Sequence, residues 1–186
     1  MLILVGALAV IAGAALWLYN DYEDSAAASY SLEKAQDLFE MIIADNPAEV
    51  SKDAASGFSY MTLDGEEYLG IISIPKLTLN LPVNRQWSYP LLKKTPCCFS
   101  GSIETDDFVI AAHNFRTHFG KIHTLKDGDS VVFTDVEGNR YNYYVAAVET
   151  VNPSDTYDVI HSSYDLTLFT CTYGGKTRVV IRCMLE

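Results

Sequence analysis

MLILVGALAVIAGAALWLY, residues 1–19, contains no charged side chain. As a helix this run is about 28 Å long, close to the roughly 30 Å hydrocarbon core of a bilayer. Trp17 and Tyr19 fall where interfacial aromatics belong. The pattern predicts an N-terminal transmembrane anchor over 1–19. A cleaved signal peptide is the alternative, because SAAAS at 25–29 offers small residues for processing. Either one exports the rest of the chain. No Lys or Arg precedes the run, so orientation is weakly specified by charge. Residues 20–67 make an intermediate segment. Within it, SLEKAQDLFEMIIAD (31–45) has helical period: Ser31 reads as an N-cap, Leu32, Ala35, Leu38, Phe39 and Ile42 form one stripe, and Pro47 bars continuation. Residues 48–67, with Gly57 and Gly65 among small and acidic side chains, read as a linker.

From Tyr68 the pattern changes to short apolar runs. YLGIISI and KLTLNLPV are broken at Pro75 and Pro82, and DFVIAAH (107–113) is a buried strand ending in histidine. NFRTHFGKIHTLKDG is irregular or briefly helical. SVVFTD (130–135) and RYNYYVAAVETV (140–151) flank the turn signal EGN, and DLTLFT (165–170) and KTRVVIRCML (176–185) flank CTYGG. Seven or eight short strands with few helices predict a mainly β domain over 68–186, a closed or nearly closed barrel that protects its strand edges.

Composition removes several functions. The formal net charge is -11, and no Lys/Arg cluster offers nucleic acid a basic surface. The first three of the four histidines, His113, His118, His123 and His161, are spaced by five, which is not a helical zinc pair. No phosphate-binding glycine loop or Gly-x-Ser-x-Gly elbow occurs. Glu104, Asp106 and Asp107 are calcium-ligand candidates that read better as a solvated acidic loop. No metal or other cofactor is expected. Cys97, Cys98, Cys171 and Cys183 form no disulfide framework, although a Cys98–Cys183 bridge fits an exported domain.

Cys171 stands where an apolar strand gives way to a loop with Gly174 and Gly175. His113 ends another strand and Arg178 begins a third. Brought to one rim and one accessible cleft, the three make an acyl-transfer centre. A thiolate attacks a peptide carbonyl, and a nearby imidazolium and guanidinium favour that anion. The histidine protonates the departing amine and later serves as base. The arginine donates to the substrate backbone or the developing oxyanion. Arg182 lies on the same strand face as Arg178 but about 13 Å further on, so the two cannot serve one carbonyl. Arg178, nearer the loop, is the expected partner.

TLFTC (167–171), Arg178 in TRVVIR and His113 in AAHN resemble the sortase family, as do YLGIISIPKLTLNLPV (68–83) and CCFSGSIETDDFVIAAHN. The resemblance covers roughly 68–184, and the apolar N-terminus suits that family's usual anchor. It implies a closed sortase-type β-barrel with short helices, and a cysteine transpeptidase at a Gram-positive cell surface, single-pass, with the catalytic domain outside. It implies cleavage of a Leu-Pro-x-Thr-Gly-like C-terminal sorting signal between Thr and Gly through a thioester on Cys171. The protein substrate is then transferred to an amine of the peptidoglycan cross-bridge or of a pilin lysine. By resemblance His113, Cys171 and Arg178 are catalytic, while Thr170, Asn114 and the 152–164 loop bind substrate. The histidine region is closer to class B sortases. The short loop before the cysteine strand departs from them, and no N-terminal lid plug is visible, so a class B-like or class D-like subtype is expected. A cysteine peptidase with water as acceptor, or an inactive surface-binding module, would keep the same barrel.

Overall fold

The computed structural model describes residues 2–44, 50–52 and 57–186. One helix, α1 (Leu2–Ile43), occupies nearly the whole N-terminal segment. By length and composition it can cross a membrane, and none of its most apolar window is buried against the rest of the protein. A separate helix starting at Ser31 is therefore not what forms. No Pro or Gly lies between Asn20 and Tyr30, and alanines fill much of that stretch, so nothing stops the helix there. Ser31 sits mid-helix and buried, donating its hydroxyl to the carbonyl of Lys94 (2.6 Å) and meeting His118 Nε2 at 3.0 Å. The expected apolar stripe is half right. Ala35 and Leu38 are buried, but Leu32 and Phe39 are exposed. The docked face is Asp24, Ala27, Ser31, Lys34, Ala35 and Leu38. The expected stop at Pro47 lies outside the described residues.

Ten strands follow among the described residues: β1 (Val50–Lys52), β2 (Ser59–Leu63), β3 (Glu66–Ile74), β4 (Leu79–Asn84), β5 (Cys97–Ser100), β6 (Phe108–Ala111), β7 (Ser130–Asp135), β8 (Arg140–Val151), β9 (Leu166–Cys171) and β10 (Arg178–Leu185). The sheet order is β1-β2-β3-β4-β5-β6-β9-β10-β8-β7, and β7 pairs back onto β3. The eight strands from β3 to β7 thus close a barrel, matching the predicted class. The β1–β2 hairpin hangs on the β3 edge beyond the closure, so part of the expected linker is strand. Gly70 makes the seam. At φ +153 it sits at a register shift between β3 and β4 while facing β7, and a Cβ there would collide with the carbonyl oxygen of Thr134. Closure at this point requires a residue without a side chain.

Inside the barrel lies one apolar cluster that includes Leu69, Ile72, Phe108, Ile110, Phe133, Leu166, Leu168 and Ile181. A second, outside, joins Leu38 of α1 to Met61, Tyr68, Ile71 and Val136. Polar contacts extend that seam. Buried Lys34 donates to Asp64 (2.6 Å) and Asp37 (3.2 Å), while Glu66 accepts from Lys94 (2.7 Å) and Tyr30 (2.9 Å). Two short helices, α2 (Tyr89–Leu92) and α3 (Thr156–Ile160), complete the fold. All four cysteines are free, so the Cys98–Cys183 bridge is not formed. Burial raises Cys98 to about 11 and Cys183 to about 12, which keeps both as thiols.

Candidate active site

The period of two decides which residues reach the outside of the barrel. In β9, Leu166 and Leu168 enter the interior cluster, so Thr167, Phe169 and Cys171 face outward. In β6, Phe108 and Ile110 point in and Val109 points out. The parallel register pairs Ala111 with Phe169. Beyond it, Ala112 N donates to Phe169 O (3.2 Å), Thr170 Oγ1 to Ala112 O (2.8 Å), and Asn114 Nδ2 to Thr172 O (3.5 Å). One backbone bond and two side-chain bonds thus hold the segment with His113 alongside the end of β9, where Cys171 lies. On the other side Arg178 is the antiparallel partner of Cys171. The order across the outer face is His113, Cys171, Arg178.

The connection from Cys171 to Arg178 is a tight loop. Thr172 N donates to Thr177 O (3.0 Å), Thr177 N to Thr172 Oγ1 (3.1 Å) and Gly175 N to Thr172 O (2.8 Å). Gly174 and Gly175 have φ of +81 and +70, the left-handed region that favours glycine. Arg178 Nη1 donates to Gly175 O (3.0 Å) and Thr177 O (3.1 Å), which fixes the guanidinium at the loop. Its Nε and Nη2 have no protein partner among the described residues.

Cys171 and Arg178 line one groove and His113 lines another, where the sequence suggested a single cleft for all three. One, about 210 Å³, is lined by Thr170, Cys171 and Arg178 with Asn152, Pro153, Thr156 and Val159 of the loop before β9. Its floor is aromatic: Phe99 and Phe169 meet edge to face at 5.0 Å, and Trp87 meets Phe99 at 5.6 Å. The other, about 440 Å³, contains His113, Asn114, Phe115, Arg116 and Tyr173 with Trp17, Asn20, Asp21, Glu23 and Asp24 of α1. Thr170, although it lines the first groove, has its hydroxyl engaged on Ala112 O, bracing β9 against the histidine segment. Within the 152–164 segment, Asn152, Pro153, Thr156 and Val159 are the residues that wall this groove.

Arg182 is fully occupied elsewhere. Its guanidinium donates to Asp158 O (2.8 Å), Val159 O (3.0 Å), Thr167 Oγ1 (3.1 Å) and Glu149 Oε2 (3.1 Å). It clamps α3 onto the barrel and has no face turned to the cysteine groove.

The imidazole of His113 stacks on Phe115 with ring centres 3.9 Å apart, and its Nδ1 is buried without a hydrogen-bond partner among the described residues. Burial lowers its pKa below the usual histidine value, and the Lys93 ammonium lowers it further, while Glu23 and Asp24 pull it back up. Lys93 is tied to Glu23 at 2.8 Å. Asp24 accepts from Arg116 Nε (3.1 Å), Thr117 N (3.3 Å) and Thr117 Oγ1 (2.5 Å). Burial alone would raise its pKa, but these donors hold it below the carboxylate value. Sequence reading missed Lys93 and this whole α1 wall. The available signal was the recurrence of Asp24, Ala27, Ser31, Lys34, Leu38 at helical spacing. No cluster of three metal-ligating side chains occurs among the described residues. Asp107 is engaged within its own loop by Ser102 N (2.9 Å) and Thr105.

A family model described as Sortase domain matches residues 72–186, the span that holds all three residues. The chain belongs to the sortase family. Sortase A of Bacillus anthracis is 32% identical over 117 residues, 59% of this chain and 55% of that protein, so this sortase spans about half the length of that curated relative. Among solved structures, sortase C1 of Streptococcus agalactiae is 28% identical with a TM-score of 0.58, over 67% of this chain and 70% of the other. A sortase C of Clostridium perfringens, solved with the C-terminal cell wall sorting motif, is 25% identical with a TM-score of 0.57, over 83% of this chain and 90% of that one. These relatives carry labels of different sortase classes, so the shared barrel does not sort this sortase among them.

Proposed function

We propose that this sortase is a membrane-anchored cysteine transpeptidase acting on surface proteins that bear a Leu-Pro-x-Thr-Gly-like sorting signal. Residues 1–19 serve as the anchor, 20–67 as the intermediate segment and 68–186 as the catalytic domain, on the outer side of the membrane. The observation that carries the reading is Cys171 paired with Arg178 across β9 and β10 at one groove, with His113 two residues past the end of β6, the strand on the other side of β9. The C. perfringens relative solved with a cell wall sorting motif supports the kind of substrate.

In this mechanism the sorting peptide lies in the groove walled by 152–164, its apolar residues against Phe99 and Phe169. The Cys171 thiolate attacks the Thr carbonyl. Arg178, held at the loop by its Nη1, presents its remaining N–H groups to the carbonyl oxygen as charge develops there. His113 gives its proton to the departing Gly amine. An acceptor amine of the cross-bridge or a pilin then attacks the thioester, His113 takes its proton, and the thiolate leaves. With its pKa lowered by burial, His113 rests as the neutral imidazole, takes the thiol proton of Cys171 as the thiolate forms, and passes that same proton to the Gly amine. Full-length protein in detergent, incubated with sorting-signal peptides and several amines, is read by mass spectrometry. A Cys171-linked acyl adduct resolved faster by an amine than by water is expected. Resolution by water alone makes the protein a peptidase, and Cys171→Ala retaining the adduct removes the assignment.

A further inference from the structure

The contacts between α1 and the barrel run in a fixed order along the helix. Asp21 and Asp24 bind Arg116, and Asp24 also binds Thr117, in the segment after His113. Glu23 binds Lys93. About two turns further, Ser31 meets His118 and Lys94. Leu38 then packs on Met61 and Tyr68, and Ile42 approaches Gly138 at the β7–β8 hairpin. From Asp24 to Ile42 is about 27 Å of helix. The barrel is therefore fastened alongside α1 with one polarity. The end carrying His113 and the Cys171–Arg178 loop lies toward the apolar N-terminal stretch, and the β7–β8 hairpin lies away from it. No Pro or Gly interrupts the helix between Asn20 and Ile43, so no hinge separates the anchor from this docked part.

Height follows from the same geometry. The groove of Trp17, Asp21, Asp24, His113, Arg116 and Tyr173 spans seven helical residues, about 10 Å. Trp17 marks the lower limit, inside the uncharged stretch and four residues before Asp21, the first charged side chain. The polar layer beyond each hydrocarbon face is about 5–8 Å deep. The groove thus begins inside that layer. Tyr173, at the tip of the Gly–Gly loop, is 75% exposed, with Trp17 at 65% and Tyr22 at 72%. Aromatic side chains with a polar tip partition into headgroups.

From this we infer that the catalytic rim faces the bilayer and rests on it, with Tyr173 seated among phospholipid headgroups beside Trp17. The lipid surface is the binding partner of the Thr172–Thr177 loop. The inference rests on the anchor reading above.

Full-length protein with Trp17→Phe, Trp87→Phe and Tyr173→Trp is placed in phosphatidylcholine–phosphatidylglycerol vesicles carrying a headgroup spin label. Its single indole reports the rim. A companion with Trp17→Phe, Trp87→Phe and Glu137→Trp carries its single indole at the far end of the barrel. Flotation with the vesicles is measured on both. The expected result is co-flotation, a blue-shifted emission from the rim indole that loses about half its intensity to the label, and an unquenched far-end indole. Co-flotation with the rim indole no more quenched than the far-end one overturns the inference and leaves the anchor standing. Failure to float overturns both. A flexible Gly–Ser insert between Tyr19 and Asn20 is expected to keep flotation and lose the quenching. Quenching that survives the insert overturns the rigid helix as the cause of the orientation.

Discussion

His113 and His118 are five residues apart, the first half-buried and the second buried, and they answer pH differently. His118 is wholly inside the seam between α1 and the barrel, and burial pushes it down to about 4, with the neighbouring His113 adding to the shift and Asp24 and the Ala27 carbonyl opposing it. Ser31 gives its only hydroxyl proton to Lys94 O, so His118 Nε2 carries the hydrogen between them and Nδ1 stays bare, with no partner among the described residues. A second proton would place a buried N–H against nothing. The unfolded chain takes that proton near pH 6.5 and the folded one near 4, so stability is full above pH 6.5 and falls as pH drops between these values. The loss is about 3 kcal/mol at most. Denaturant unfolding at pH 7 and pH 4.5 is expected to show this fall in the native protein and much less of it in His118→Gln. For His113 the second lowering influence is Lys93, opposed by Glu23. Lys93→Met is therefore expected to raise the His113 pKa, read from its imidazole resonances by NMR. A pKa that stays or drops would refute the electrostatic account. Cys171→Ala, in turn, is expected to abolish the acyl adduct without changing the far-UV spectrum.

Among the elements, β10 divides its labour between two arginines. Arg178 stands opposite the cysteine, and four residues on Arg182 holds two carbonyls of α3. Arg182→Met removes those bonds and loosens the loop that walls the cysteine groove. Its expected signature is a KM for sorting peptide raised roughly ten-fold with kcat little changed, the cost of about one charged hydrogen bond. Arg178→Ala is expected to do the reverse, lowering kcat by a hundred-fold or so with a smaller change in KM. Steady-state kinetics on both variants separates the roles. The strand face and the loop position of Arg178 were legible in TRVVIR, because period two and the Gly–Gly pair fix them. The clamp by Arg182 was not, since a backbone carbonyl leaves no trace in side-chain pattern. The same limit applied to α1. Its apolar stripe points partly to solvent, while the polar Asp24, Ser31 and Lys34 are buried beside Ala27, Ala35 and Leu38, each polar group satisfied by one distant in sequence. Hydrophobic periodicity cannot register a face that docks through polar bonds.

For the whole molecule, the barrel class and its approximate strand list were legible because alternation and turn residues are local. Closure itself was expected, but that β3 and β7 make it was not legible, since that depends on which distant edge a strand finds. Gly70 is where that choice is made. Gly70→Ala is expected to cost about 2 kcal/mol or more, by collision with Thr134 and an unfavourable φ, and to lower Tm by several degrees in calorimetry. The single unbroken α1 fastens to this closed body at Arg116, His118, Asp64 and Met61. The Arg182 clamp has a consequence for redesign. Because α3 is gripped by two of its carbonyls and by one buried side chain, Val159 against Val109 and Val180, the 152–164 stretch is an exchangeable cassette. Foreign sequences of matching length can be grafted there to recode peptide choice, provided a short helix still offers two carbonyls to the waiting guanidinium and an apolar side chain in place of Val159.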